Sequence, residues 1–150
     1  MRAWLLLIVL AACEKSSPAP APDPAPPDRD QIMSSLAVDS ITYTQKLPGI
    51  LLAFDGDCAA HATRLLVLEP LVSTIRARWA ELSTEEVRGV RERIAARKTE
   101  VFAKLDADLA EKHATRADVE AKDAAVKTAC ANDPKVKDAM DRVGLFKKAQ

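Results

Sequence analysis

Glycine, aromatic residues and net charge are all scarce in this chain. Of its 150 residues, four are glycine and 4% are aromatic, and 22 basic side chains balance 22 acidic ones. A near-neutral chain lacks the field that attracts nucleic acid, so we expect no nucleic-acid partner. No stretch alternates apolar and polar residues for long enough to predict a strand, and no internal repeat is visible. The sequence therefore predicts an all-α protein.

The chain also lacks an apolar run long enough to span a bilayer, which takes about 20 residues. The run over residues 4–10 follows Arg2 and ends in two alanines before Cys13, and Glu14 and Lys15 then close it. A secretory signal has an apolar region of this length and also ends in small residues, so it is the main alternative. Such a signal has no need of a cysteine after the cleavage site.

Residues 10–13, Leu-Ala-Ala-Cys, resemble the lipobox of bacterial lipoproteins. The resemblance implies that residues 1–12 are a signal peptide and that the Cys13 sulfur carries diacylglycerol. It also implies two or more acyl chains, which hold a protein stably on a membrane. Glu14, which is not Asp, resembles the pattern that permits sorting to the outer membrane. We therefore expect a lipid-anchored protein of the cell envelope, on the outer membrane and facing the periplasm.

Six of the nine prolines fall between Pro18 and Pro27, where they alternate with alanine. Such a segment favours an extended polyproline II conformation of about 3.1 Å per residue. Residues 13–30 are predicted to be the lipidated N-terminus and a disordered Pro/Ala-rich tether that reaches up to roughly 50 Å from the bilayer. A proline-rich ligand for a partner's aromatic groove is the alternative. The helical domain is predicted over residues 31–150.

From residue 31 onward, apolar residues recur at the three- and four-residue spacing of helices. We predict a first helix over residues 31–46 that is kinked or broken at Leu47-Pro48-Gly49, because proline lacks the amide that a helix interior needs. A second helix is predicted over residues 58–82, in one piece but bent near Leu66 by Pro70.

Helix start signals divide the remaining chain into three more helices. Ser83 and Glu86 form a capping-box pattern before a third helix that extends to residue 109. A fourth helix is predicted over residues 115–130, and a last one starts at Pro134 and extends to Phe146. Because the loops are short, we predict an up-and-down bundle of four to five helices.

Lipidation of Cys13 leaves Cys58 and Cys130 as an even pair, and export favours their oxidation. We therefore predict a disulfide-stapled bundle. In the chain-entropy model the bond would increase the free energy of unfolding by about 4 kcal/mol. Straight antiparallel helices conflict with this bond, because at 1.5 Å per residue they leave Cys130 about 15 Å too low. Either the fourth helix crosses steeply, or a helix breaks earlier than its pattern indicates, or the thiols are not bonded to each other.

Cys58 and His61 share one helix face, the arrangement of half a zinc site or of a nucleophile beside its base. Both uses need the thiolate, so oxidation leaves a partly buried histidine beside a disulfide as the preferred interpretation. Met33, His61 and His113 are candidate haem ligands, but the chain has no C-x-x-C-H run for covalent haem. We predict no catalytic residue, no metal and no cofactor.

Basic residues crowd the predicted third helix and are interleaved with glutamates, as on a solvated, ion-paired helix face. Arg97 and Lys98 differ, because they occupy the turn between Ile94 and Val101 where an apolar residue is expected. This turn is therefore predicted to face solvent, an anionic lipid headgroup or a partner. Arg97 and Lys98 are the candidate interaction surface.

The signal, the tether, the Gly56-Asp57-Cys58 helix start and a cysteine before Asn132-Asp133-Pro134 resemble small helical lipoproteins of unassigned function in Gram-negative bacteria. The resemblance implies no activity. The leading hypothesis is a non-enzymatic protein, held on the membrane through Cys13, that binds or scaffolds an envelope partner. A periplasmic carrier of a small ligand, metal or haem is the alternative, and a thiol-dependent enzyme is a second one.

Overall fold

The computed structural model describes residues 28–144, and this part of the chain is helical without strands. Its elements are α1 (Arg29–Leu52), α2 (Cys58–Leu66), α3 (Glu69–Ala80), α4 (Thr84–Ala96), α5 (Lys98–Glu111), α6 (Arg116–Ala129) and α7 (Pro134–Val143). The all-α prediction is confirmed for these residues, but the count of four to five helices is wrong. The lipobox with Cys13, the Pro/Ala-rich segment up to Pro27, and Phe146 lie outside the described residues. None of the helices from α1 to α7 is long and apolar enough to cross a membrane.

The long helix α1 is the centre of the fold. It has 24 residues, a length of about 36 Å, and α2, α3, α4, α5 and α6 all pack against it. α7 packs instead against α2 and α3. The buried residues of α1 recur mostly at helical spacings and are Leu36, Ala37, Ser40, Ile41, Tyr43 and Leu51. Helices therefore cover α1 along its length, and the core follows its buried face.

α1 continues past residue 46, the predicted end of the first helix, and Pro48 lies inside it without breaking it. The helix continues to Leu52, and the Ala53 amide still bonds to the Gly49 carbonyl at 3.3 Å. Pro48 leaves the Thr44 carbonyl without its helical donor, but Thr44 lies on the exposed side of the helix. Because neighbouring helices pack around α1, the loss of one bond there does not break it.

The predicted second helix is two helices, because the chain turns at Val67 and Leu68. Pro70 is the second residue of α3 and has no amide to bond to the Leu66 carbonyl. The amides of Val67 and Leu68 instead bond to carbonyls three residues back, at 3.3 and 2.9 Å. Proline therefore starts a new helix here, where a bend within one helix was predicted.

The predicted third helix is also two helices, which meet at Arg97. The Arg97 amide bonds to the Ile94 carbonyl at 3.2 Å, and the Arg97 carbonyl accepts from the Val101 amide at 2.9 Å. Neither proline nor glycine marks this break. It falls at the turn where the apolar stripe is interrupted, so α4 and α5 bury separate sets of residues against α1.

The predicted disulfide joins Cys58 and Cys130, which are 72 positions apart in sequence and have their Cα atoms 5.7 Å apart. Cys58 is the first residue of α2, and Cys130 follows the last residue of α6. The conflict with straight helices is resolved by the earlier breaks at Val67–Leu68 and at Arg97. No straight helix over residues 58–82 or 84–109 exists to carry the two cysteines apart.

Side chains cap most of the helix starts. Ser83 and Glu86 form the predicted capping box of α4, and Thr115 and Asp118 form one at α6. Asp133 accepts bonds from two amides at the start of α7. The first turns of α3 and α5 have no side-chain cap.

Candidate functional site

The two predicted surface residues lie side by side at the joint between α4 and α5 but have different surroundings. Arg97 is exposed and pairs with Glu100 at 3.3 Å. Lys98, the first residue of α5, places its Nζ 5.8 Å from the centroid of the Phe102 ring. This distance is within the range of a cation–π contact. Arg97 therefore forms an ion pair with Glu100, whereas Lys98 lies near an aromatic ring.

A groove of about 600 Å³ opens beside Lys98, between α1, α3, α4 and α5. This volume is in the range of about 300–1,000 Å³ that is typical of small-molecule sites. The larger apolar side chains of the groove are Ile41, Trp79, Ile94, Val101 and Phe102. Ile41 and Val101 are buried and form the floor, whereas the other three are only half-buried. The groove therefore presents aromatic and aliphatic surface to solvent.

The ring of Phe102 also contacts Arg116, the first residue of α6. The guanidinium carbon of Arg116 lies 4.5 Å from the ring centroid. Arg116 in turn donates to Asp106, with a distance of 2.6 Å from Nε to Oδ1. Arg116 is thus ion-paired with Asp106 and also lies over the ring of Phe102, which lines the groove.

The charged residues that line the groove are Arg76, Arg91 and Lys98, and no acidic residue lines it. Of the ten arginines in the described range, eight form ion pairs with carboxylates. The two others are Arg76 and Arg91. Arg76 donates to the backbone carbonyls of Asp141, at 2.9 Å, and Gly144. The arginines left without a carboxylate are thus the two in the groove, which makes its potential positive.

His61 lies away from the groove and is fully buried in α2. Neither ring nitrogen has a hydrogen-bond partner within the described part of the chain. The Phe54 ring meets it edge to face, with the centroids 5.2 Å apart. Burial lowers the pKa of His61, the Arg64 charge lowers it further, and Asp55 opposes both effects. His61 is therefore held as a neutral imidazole.

Cys58 is bonded to Cys130, so its sulfur is not free to bind zinc or to act as a nucleophile beside His61. Among residues 28–144, no group of three or more His, Cys, Asp or Glu side chains is arranged to hold a metal.

The three candidate haem ligands are not brought together. Met33 lies beside Gly89, near the start of α1, whereas His61 packs on Phe54, just past its end. About 28 Å of helix separates Met33 from the end of α1. His113 is exposed in the turn after α5.

Of the residues that line the groove, only Lys98 is among the predicted site residues. Trp79 lies within the predicted second helix, and Arg91 is one of the basic residues of the predicted third helix, whose pattern indicates a solvated face. The pair of a lysine and a phenylalanine four residues apart, Lys98 and Phe102, is a local signal that points to a cation beside an aromatic ring. The contributions of α1 and α3 have no such local signal, because they depend on how the helices meet.

No family model, no curated protein and no solved structure matches this chain. The distinguishing properties of the candidate site are an exposed apolar surface and cations that have no carboxylate partner.

Proposed function

We propose that this protein is a lipid-anchored cell-envelope protein that acts by binding, without catalysis, and that the groove beside Lys98 is its binding site. The observation that carries the proposal is the pairing of an apolar floor with cations that lack carboxylate partners. Small-molecule sites are concave and mostly apolar, with a few polar groups that fix the ligand. The volume of the groove favours a small ligand over a protein partner, which makes the carrier hypothesis the stronger one.

The location is supported by the sequence. Residues 10–13 resemble a lipobox, and the proposed anchor is diacylglycerol on Cys13. The proline-rich segment that follows would let the domain meet ligands at a distance from the outer-membrane surface, on the periplasmic side. Metabolic labelling with an alkyne fatty acid tests the anchor. We expect label on the wild-type chain and none on Cys13→Ser.

A photo-crosslinking amino acid at position 95 tests the binding site. Ala95 is exposed and lines the groove, and Ala124 is exposed on α6 and serves as the matched control. The full chain is expressed in a Gram-negative host, illuminated in the intact envelope and analysed by mass spectrometry. We expect a reproducible adduct at position 95 that is absent at position 124. Equal adducts at both positions, or none at either, would contradict the proposal.

A further inference from the structure

We infer that the groove binds a single-chain amphiphile with a carboxylate head, such as a long-chain fatty acid; this inference rests on the proposed binding function. The alkyl chain would lie over Ile94 and Phe102. The carboxylate would lie at the rim that Arg91 and Lys98 form.

The apolar part of the ligand follows from the exposed surface of the groove. Trp79, Ile94 and Phe102 are half-buried in a groove whose floor, Ile41 and Val101, is itself apolar. Covering such surface is favourable by about 25 cal/mol per Å². Arg116 lies over the Phe102 ring but does not cover it completely, since Phe102 remains half-buried. An alkyl chain along the groove would cover this surface.

The anionic head follows from the ion-pair pattern. Carboxylates of the chain neutralise the described arginines outside the groove, including some far apart in sequence, such as Arg29 with Glu86. Arg91 and Lys98 have no such partner, although both are exposed and line the groove. Arginine binds carboxylates through two parallel hydrogen bonds, which would fix the position and orientation of the head group.

The immediate neighbours of Lys98 leave its charge in place. Lys98 is the first residue of α5, directly after the joint at Arg97. Arg97 and Glu100 neutralise each other there, so their pair does not cancel the charge of Lys98.

The openness of the groove favours an amphiphile over a wholly apolar ligand. The cations at its rim are exposed, so a carboxylate bound there remains partly hydrated while the chain is buried. An amphiphile has both the charged head that can stay hydrated and the alkyl chain that can be buried.

Photoaffinity labelling of the full chain in its own envelope tests the inference. The probe is a long-chain fatty acid with a diazirine in its alkyl chain, and the comparison probe is the fatty alcohol of the same length. Labelled peptides are identified by mass spectrometry after digestion. We expect the acid to label the peptides that contain Ile94 and Phe102 at least about fivefold more than the alcohol does, because a charge-assisted bond discriminates by about this factor.

Charge-removing variants locate the head. We expect Arg91→Gln with Lys98→Gln to lower labelling by the acid about tenfold and to leave labelling by the alcohol unchanged. Lys104→Gln is the matched control, because Lys104 is an exposed cation on α5 outside the groove. It is expected to label like the wild type. All three side chains are exposed, and thermal unfolding confirms that the variants fold.

The outcomes separate this inference from the proposed function. Equal labelling of the groove by acid and alcohol would overturn the carboxylate preference and leave groove binding in place. No groove labelling by either probe, together with no adduct at position 95, would overturn both. A crosslink from Lys98 to a second copy of the chain, without labelling by the acid, would assign the groove to self-association and overturn the inference.

Discussion

The end of the molecule that holds the Cys58–Cys130 bond is closed, whereas the end around Lys98 is open. At the closed end, α7 packs on α2, and Leu65, Val126 and Ala139 are at most 1% exposed. At the open end, three large apolar side chains remain half-buried and two arginines lack carboxylates. The contrast predicts that truncation of a buried side chain at the closed end costs more stability than truncation of a half-buried side chain in the groove.

Removal of the disulfide should have the largest effect on stability. We expect Cys58→Ser with Cys130→Ser to lower the free energy of unfolding by about 4 kcal/mol, because the bond closes a long loop in the unfolded chain. Urea unfolding of the oxidised wild type and the double variant measures the difference. Groove labelling by the fatty-acid probe in native conditions should persist, since neither cysteine lines the groove. A loss below about 1 kcal/mol would contradict the stabilising role of the disulfide.

A matched pair of truncations compares the two ends directly. Leu65→Ala, at a position 1% exposed, should cost about 3 kcal/mol because it leaves a cavity in a closed core. Ile94→Ala, at a half-buried position in the groove, should cost about 1 kcal/mol because solvent reaches the site already. Chemical denaturation of both variants gives the two values. Equal losses would show that the groove end is as much a part of the stabilising core as the closed end.

The buried imidazole of His61 makes the closed end sensitive to pH. Its folded-state pKa is lowered, so the unfolded chain takes up a proton first as the pH falls below the ordinary value of 6.5. The wild type should therefore lose stability as the pH falls below 6.5, until the folded-state pKa of His61 is passed. His61→Leu should be more stable by about 1 kcal/mol at neutral pH, because it removes unsatisfied polar atoms. Its advantage should widen as the pH falls, as measured by unfolding at a series of pH values.

A second acid transition should be common to both proteins. The bond from Arg29, with those from the Ser83 amide and hydroxyl, lowers the pKa of Glu86 to about 2. The stabilisation from Glu86 is therefore present above its ordinary pKa of 4.5 and is lost as the pH falls toward 2. A parallel decline of wild type and His61→Leu as the pH falls below 6.5 would contradict the role of His61.

The smallest effect is expected at His113, in the turn between α5 and α6. Its φ of 53° lies in the left-handed region, where a side chain is strained and glycine is not. The turn is otherwise well bonded, since the Ala114 amide bonds to the Leu109 carbonyl at 2.9 Å. We expect His113→Gly to raise the free energy of unfolding by about 0.5–1 kcal/mol, measured by thermal unfolding. His113→Ala retains the Cβ and should bring no gain, and equal gains from both variants would disprove the strain.

Helix starts were predictable from the sequence, and helix interruptions were not. The caps Ser83, Thr115 and Asp133 act within three residues of their own positions, so a local pattern is sufficient. Pro48 stays inside a helix and Pro70 starts one, although both lack the same amide. The difference comes from packing around α1, which no local pattern contains.

The candidate site was predicted only in part for a related reason. Lys98 was found because the apolar stripe of its own helix is interrupted there. The significance of Arg91 depends on the carboxylates that it lacks, and the partners of other arginines are distant in sequence, as with Arg142 and Glu69, 73 residues apart. Unpaired charge is thus a property of the folded chain.

The central position of α1 makes its apolar face depend on the rest of the chain. α1 is the first of the described helices, and every helix that covers it follows in sequence. Cys58 likewise lies 72 positions before Cys130. Contacts of such sequence separation form more slowly than local ones. A chain truncated before α6 would therefore leave part of the apolar face of α1 uncovered and would lack the covalent link.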